Sequence, residues 1–251
     1  MKAVFFGNNL RIVEVLLTKL HLVNVVSEVD RVNDSVVDLC FLRGIGFHAV
    51  SGVDELSTDF LANHDLGVTC GFGLIFRREH IKATRLGIVN IHFGRLPGYR
   101  SRHPVSWAFL NNEFEIGVSI HRIDHRIDCG RMLHRFSVQR HVDDTLSDIE
   151  NRICDRFDLA WDVAQANLVN GRTEAIAESN YLPTLATKLR RIDPAEHPAR
   201  YLLNAFRSQR EYGGIEIDGK RYTLCHVHHP NRCWDGWLLR RSADGVDLAF
   251  R

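Results

Sequence analysis

The sequence predicts an α/β fold, a Rossmann-like and mostly parallel sheet with flanking helices, followed by a small C-terminal β-rich module. Three observations predict it. Short apolar, β-branched segments alternate with helical segments from Lys2 to Val89, the pattern of successive βα units. A long amphipathic run ending at Val169 supplies one large covering helix. From Tyr181 the texture changes, because Pro183, Pro194 and Pro198 punctuate an Arg-rich stretch and a hairpin signal follows.

Lys2 to Phe6 reads as the first strand, and Gly7-Asn8-Asn9 turns into a helix with Leu10, Val13, Leu16 and Leu17 on its apolar side. This turn lacks the later glycines of a dinucleotide fingerprint, so it reads as an ordinary βα turn. His21 to Val26 is a second strand. Asn33-Asp34-Ser35 starts a helix that runs through Leu42, and Phe47 to Val50 is a third strand. A helix is expected from about Asp54 to Ala62, then a fourth strand over Gly67 to Cys70. Leu86 to Val89 leads into a fifth.

Pro104 to Leu110 reads as a helix with Pro in its first turn, where the missing N–H does no harm. Strands are expected over about 116–123 and 131–138. Asp143-Asp144-Thr145 caps the long helix, whose inward positions are Leu146, Ile149, Ile153, Phe157, Ala160, Trp161 and Ala164, and Asn170-Gly171 stops it. Farther on, Pro198 to Ser208 reads as a helix and Gly213 to Leu224 as a hairpin turning at Asp218-Gly219. Trp234, Trp237 and Leu238-Leu239 add strand-like pieces. The expected division is a catalytic domain over 1–180 and a helix-and-hairpin module over 181–251 packing on it.

Composition narrows the function classes. With 251 residues, 45% apolar and 25% charged, the chain is of the ordinary soluble globular kind. A net charge of +1 gives no field that would draw nucleic acid or an anionic membrane. No apolar run approaches a membrane span, and the opening Met1-Lys2-Ala3-Val4-Phe5-Phe6-Gly7 reads as a strand rather than a secretion signal, so a cytoplasmic location is expected. Six cysteines occur without a Cys-x-x-Cys pair and read as reduced thiols. His226-Val227-His228-His229 has no accompanying carboxylate or Cys cluster at ligand spacing, and no metal site is expected.

The chemistry-bearing stretch is Asn90 to Arg100. In a strand, residues two apart share a face, so Asn90 and His92 point the same way. They stand at the carboxyl end of the fifth strand, where open α/β sheets bind ligands. Downstream, the strand-like Gly117-Val118-Ser119-Ile120-His121 runs into a loop carrying Asp124 and Asp128 and closing on Gly130. A carboxylate beside an imidazole fixes its tautomer and favours its charged form, while an Asn amide can donate to an oxygen that gains negative charge. Such a trio suits acyl transfer to a nitrogen nucleophile without any Ser or Cys nucleophile. Spacing does not choose between Asp124 and Asp128. In Gly71-Phe72-Gly73-Leu74-Ile75-Phe76 the glycines let backbone approach a flat ligand, and Phe72, Leu74 and Phe76 supply apolar walls. Arg77, Arg100 and Arg102 are cations of the kind that pair with phosphate.

The series Asn90-Ile91-His92, Leu96-Pro97, Tyr99-Arg100, His103-Pro104, Trp107-Ala108, Gly117-Val118-Ser119-Ile120-His121 and Ile127-Asp128-Cys129-Gly130 resembles the 10-formyltetrahydrofolate-dependent formyltransferase family. The likeness is close from Val68 to Arg131 and extends in general layout over the first 180 residues. Arg100-Ser101-Arg102-His103-Pro104 is most similar to the subgroup that formylates nucleotide-linked amino sugars. The resemblance implies a catalytic trio of Asn90, His92 and Asp128. It implies a folate site walled by Phe72, Leu74 and Phe76 and completed by the loop of Asp124, His125, Arg126 and Ile127. It further implies a sugar-nucleotide site drawing on Arg77, Tyr99, Arg100, Arg102, His103 and Tyr222. The expected co-substrate is 10-formyltetrahydrofolate, without a metal. The expected acceptor is a 3- or 4-amino-dideoxy sugar linked to a nucleotide such as dTDP, for surface polysaccharide (O-antigen) synthesis, and the expected assembly is a homodimer.

Two relatives compete for the substrate. The methionyl-tRNA enzyme usually carries a longer, basic C-terminal domain, whereas this chain is nearly neutral. The glycinamide ribonucleotide enzyme usually ends soon after the catalytic domain. A non-catalytic folate- or nucleotide-binding protein is the alternative from another class, and retention of Asn90, His92 and Asp128 together argues against it.

Overall fold

The computed structural model describes residues 1–185 and 189–251. By contact density the chain divides into two compact units. The first comprises Met1–Arg100, Gly117–Phe136 and Ile153–Asn180, and the second Ser101–Ile116, Ser137–Arg152 and Tyr181–Arg251.

The elements follow in order as β1 (Lys2–Gly7), α1 (Leu10–Lys19), β2 (His21–Glu28), α2 (Asp34–Arg43), β3 (Gly46–Val50), α3 (Thr58–Ala62), β4 (Leu66–Cys70), α4 (Arg78–Ala83) and β5 (Ile88–His92). Then come α5 (Pro104–Leu110), β6 (Glu115–Arg122), β7 (Arg131–Gln139), α6 (Leu146–Val169) and β8 (Glu174–Ala175). The strands β1 to β8 form one sheet in the order β3-β2-β1-β4-β5-β6-β7-β8. Pairing is parallel from β3 across to β5 and turns antiparallel at β5–β6. The expected α/β class, with its mostly parallel sheet, is what the chain adopts.

Burial explains the order. Ala3 to Phe6 of β1 are 0% exposed and β4 is buried throughout, as central parallel strands covered on both faces must be. One core of the first unit gathers Val4, Phe6, Val26, Leu61, Phe76 and Ile88. The first helix starts where Asn9 accepts a hydrogen bond from the Ile12 N–H, and it buries Ile12, Val13 and Leu16. Thr145 and Asp148 start α6, the Asp148 carboxylate accepting from the Thr145 N–H at 2.8 Å. Phe157 and Trp161 of α6 are buried against each other at 5.8 Å.

The helix expected over 54–62 is divided. A 3-10 turn covers Val53–Glu55, and α3 begins only after Ser57, whose hydroxyl accepts from the Phe60 N–H and so makes a new N-cap. The short α4 was not anticipated, since its charged first residues lack an apolar period.

The second unit holds α5, α7 (Ala199–Gln209), a hairpin of β9 (Ile215–Ile217) and β10 (Lys220–Tyr222), and a three-stranded sheet of β11 (Cys225–Val227), β12 (Leu238–Arg241) and β13 (Asp247–Phe250) in the order β11-β13-β12. The hairpin turns where expected, with Asp218 and Gly219 both at positive φ. Leu202, Phe206, Ile215, Ile217, Leu248 and Phe250 form its core. Arg140, only 3% exposed, lies over the rings of Phe109 and Phe114 at 4.6 and 4.7 Å. Its guanidinium donates to the Glu113 carbonyl and the Asn204 side-chain oxygen. Among the described residues all six cysteines are free thiols, and no helix is long and apolar enough to cross a membrane.

Candidate active site

The carboxyl ends of β1, β2, β4 and β5 share one edge of the parallel sheet, and β5 delivers Asn90 and His92 there. The antiparallel register sets Asn90 directly opposite His121 and His92 opposite Ser119. After β6 the chain loops through Asp124 to Gly130 and returns as β7. Gly130 is required by close approach, because a Cβ there would sit 1.6 Å from the Arg122 carbonyl oxygen. Asp128 holds φ at +54°, a left-handed conformation that Asp tolerates better than most residues. Those two local constraints turn the Asp128 side chain inward.

Asp128 and His92 are 8% and 6% exposed, with Oδ1 of the acid 3.6 Å from Nδ1 of the ring. The other ring nitrogen, Nε2, lies 2.8 Å from the Tyr99 carbonyl and donates to it. Nδ1 is therefore the nitrogen presented to the carboxylate. His121 completes the group: its Nε2 is 3.2 Å from the Asn90 amide nitrogen and 3.9 Å from Asp128 Oδ1.

His121 is 0% exposed, and burial, then the neighbouring His92, pushes its pKa down to about 3. It is a neutral ring at any physiological pH. Its Nδ1 donates to the Arg122 carbonyl at 3.1 Å, which leaves Nε2 as an acceptor and orients the Asn90 amide with its NH2 toward His121. Asn90 keeps its second N–H for another partner. Residue alternation in Gly117 to His121 places His121 on a strand face, but only the register with β5 shows that it meets Asn90; it was absent from the sequence-derived site.

The structure places the remaining candidates as follows. Phe72 and Phe76 stack at 5.6 Å, and Phe6 packs edge-on to Phe76 at 4.8 Å, so these walls stand on the core of the first unit, with Leu74 packed beside them. Asp124 is exposed and accepts from the backbone N–H and Nδ1 of His125, bonds that hold its carboxyl below the usual range. Arg126 pairs with Glu178 at 2.5 Å, and Ile127 is 44% exposed. Arg77 pairs with Asp54 at 2.5 Å. Arg100 donates twice to the Ile127 carbonyl and once to that of Ser179, so it braces the Asp124–Asp128 loop with groups that sequence reasoning offered to a phosphate.

Three candidates belong to the second unit. Arg102 is exposed, and His103 Nδ1 accepts from the Leu185 N–H at 3.5 Å. Tyr222 packs edge-on to Phe250 and the core of that unit. There too the ring of His226 meets Trp237 and that of His228 meets Trp234. Among the described residues no group of three His, Cys, Asp or Glu side chains is placed to hold a metal ion.

Residues 53–158 match the family described as formyl transferase. A methionyl-tRNA formyltransferase of Geobacter metallireducens is 27% identical over 191 residues, 73% of this chain and 61% of that protein. The chain thus spans about three-fifths of the length of this curated relative. The N-formyltransferase of Helicobacter canadensis, solved with folinic acid and dTDP-3-aminofucose, superposes with a TM-score of 0.74 at 17% identity, covering 100% of this chain and 99% of that one. A sugar 3N-formyl transferase solved with dTDP and 5-N-formyl-THF gives 0.70 at 17% identity, over 100% and 97% of the two chains. These two likenesses speak for the fold. Residues 53–158, which hold Asn90, His92, His121 and Asp128, match the formyl transferase family, and the chain that carries them shares its fold with solved sugar N-formyltransferases.

Proposed function

We propose that the protein transfers a formyl group from 10-formyltetrahydrofolate to the amino group of a nucleotide-linked 3- or 4-amino-dideoxy sugar, dTDP-linked, for surface polysaccharide synthesis. The observation that carries the reading is the convergence of Asn90, His92 and Asp128, two of them nearly buried, at the carboxyl edge of β5. In this reading the amine nitrogen bonds to the formyl carbon while the N–H that Asn90 keeps free meets the oxygen gaining charge. His92 lies beside that oxygen, with the Asp128 carboxylate next to its Nδ1. Asp128, directly or through a water, takes a proton from the amine. As the bond from the formyl carbon to the folate nitrogen breaks, that nitrogen regains a proton, and tetrahydrofolate and the formylated sugar leave. Phe72, Leu74 and Phe76 are assigned to the folate ring, with the Asp124–Ile127 loop opposite. Likeness to neighbours solved with a folate and a dTDP compound supports these partners.

The curated relatives favour a second acceptor, methionyl-tRNA. One experiment separates the two. The protein is incubated with 10-formyltetrahydrofolate and, in parallel, dTDP-linked 3-amino and 4-amino sugars, methionyl-tRNA and glycinamide ribonucleotide, and products are read by mass. Formylation of a sugar nucleotide alone is expected. Formyl-methionyl-tRNA as the sole product overturns the sugar reading, and no product from any acceptor overturns the transferase reading.

A further inference from the structure

We propose that Glu28 and Arg31 are positioning residues for the 71–76 loop, and that through this loop they set the affinity of the site for folate. The inference rests on the folate reading above and adds the groups that hold that wall in place.

The loop follows β4 and has no regular hydrogen-bonded structure of its own. Its rings are fixed from one side, because Phe72 and Phe76 stack on each other and both pack against Phe6, which meets Phe76 edge-on. Its backbone is fixed from another. The Gly73 N–H donates to Glu28 Oε1 at 2.8 Å, and Arg31 Nη1 donates to the Gly71 carbonyl at 2.6 Å and to Glu28 Oε1 at 3.3 Å. One cation and one anion therefore hold both a donor and an acceptor of the loop, two residues apart.

The clasp is built rather than incidental. The Glu28 side chain is only 12% exposed, and hydrogen bonds to charged groups are stronger than neutral ones. Arg31 is itself held, since its carbonyl accepts from Asn8 Nδ2 at 2.8 Å and from the Ser27 hydroxyl at 3.3 Å. A Cβ on Gly73 would come 2.9 Å from Glu28 Oε2, so a larger residue there would push the carboxylate aside. Asn8, Glu28 and Gly73 sit at or just beyond the ends of β1, β2 and β4, neighbouring strands of one parallel sheet. The chain has tied together the loops at the edge where β5 presents Asn90 and His92. A loop meant only to connect β4 to α4 has no need of a carboxylate, mostly withdrawn from solvent, on its backbone.

The test compares Glu28→Ala, Glu28→Gln and Arg31→Ala with the wild type in the full chain. Amide exchange at Gly73 reads the clasp without any ligand. Calorimetric titration with 5-formyltetrahydrofolate reads the site, and steady-state kinetics separate the KM for 10-formyltetrahydrofolate from the KM for the amine. Glu28→Ala is expected to speed Gly73 exchange and to weaken folate binding by roughly 10- to 100-fold, the loss for a hydrogen bond to a charged group, with the amine KM unmoved. Arg31→Ala is expected to change both in the same direction. Glu28→Gln keeps an oxygen acceptor and is expected to restore most of the affinity. Faster exchange with unchanged folate binding in Glu28→Ala overturns the proposal. A wild-type protein that binds no folate removes the folate reading and this inference with it, a failure distinct from that of the clasp.

Discussion

The Asn90 amide nitrogen lies 3.2 Å from Nε2 of His121, a ring with no solvent exposure and no positive charge above strongly acidic pH. A neutral imidazole that donates through Nδ1 can only accept at Nε2, so this contact fixes which way the amide faces.

Asn90→Ala is expected to lower kcat about 100- to 1000-fold, the usual loss for one oxyanion donor, in a protein that still folds. Near-normal turnover would remove Asn90 from the chemistry.

His121→Phe keeps the ring volume and deletes the acceptor. We expect kcat to fall about 10- to 100-fold with folate KM little changed, the loss of one hydrogen bond acting through Asn90. The double variant with Asn90→Ala is expected to lose little more than Asn90→Ala alone, because the two act as a unit. Additive losses would show that His121 acts independently.

Asp128→Asn removes the charge but suits the left-handed backbone at this position. The variant is expected to melt near the wild-type temperature and to lose about 100-fold or more in kcat, within the range for a general base. A variant with full activity would shift the base assignment elsewhere.

Folded His121 has its pKa depressed to about 3 from an ordinary 6.5. Below pH 6.5 the unfolded chain binds a proton that the folded chain refuses. The stability from the neutral ring is therefore complete above that pH and is lost as pH falls toward 3. Urea unfolding of wild type and His121→Phe between neutral pH and pH 4 is expected to show a steeper loss in the wild type. Parallel curves would mean that the buried ring titrates normally.

In the second unit, Arg140→Ala removes a guanidinium lying over two rings and leaves the Asn204 amide oxygen without that donor. A loss of about 2–4 kcal/mol is expected, as for breaking a buried polar network, measured by denaturant unfolding. A loss under about 0.5 kcal/mol would place Arg140 with ordinary surface residues.

Much of the first unit was legible because its central strands are continuous apolar runs and its helices carry ordinary caps, as at Asn9 and Asn33. A period of two was enough to pair Asn90 with His92. It could not choose Asp128 over Asp124, because that choice depends on a left-handed φ and on a glycine pressed against a carbonyl from β6. The partnership of His121 was hidden for a related reason: it depends on register between strands, which composition does not encode. The bonds from Arg100 to the Ile127 and Ser179 carbonyls were not legible either, since a guanidinium looks the same in sequence whatever it meets.

The antiparallel pairing of β5 with β6 has an engineering consequence. Ladder hydrogen bonds, and not the length of chain between Phe93 and Glu115, hold the Asn90 amide against its buried acceptor. Moving either strand along the other by a single residue turns the acceptor to the opposite face, so register is the property any redesign of this sheet must keep.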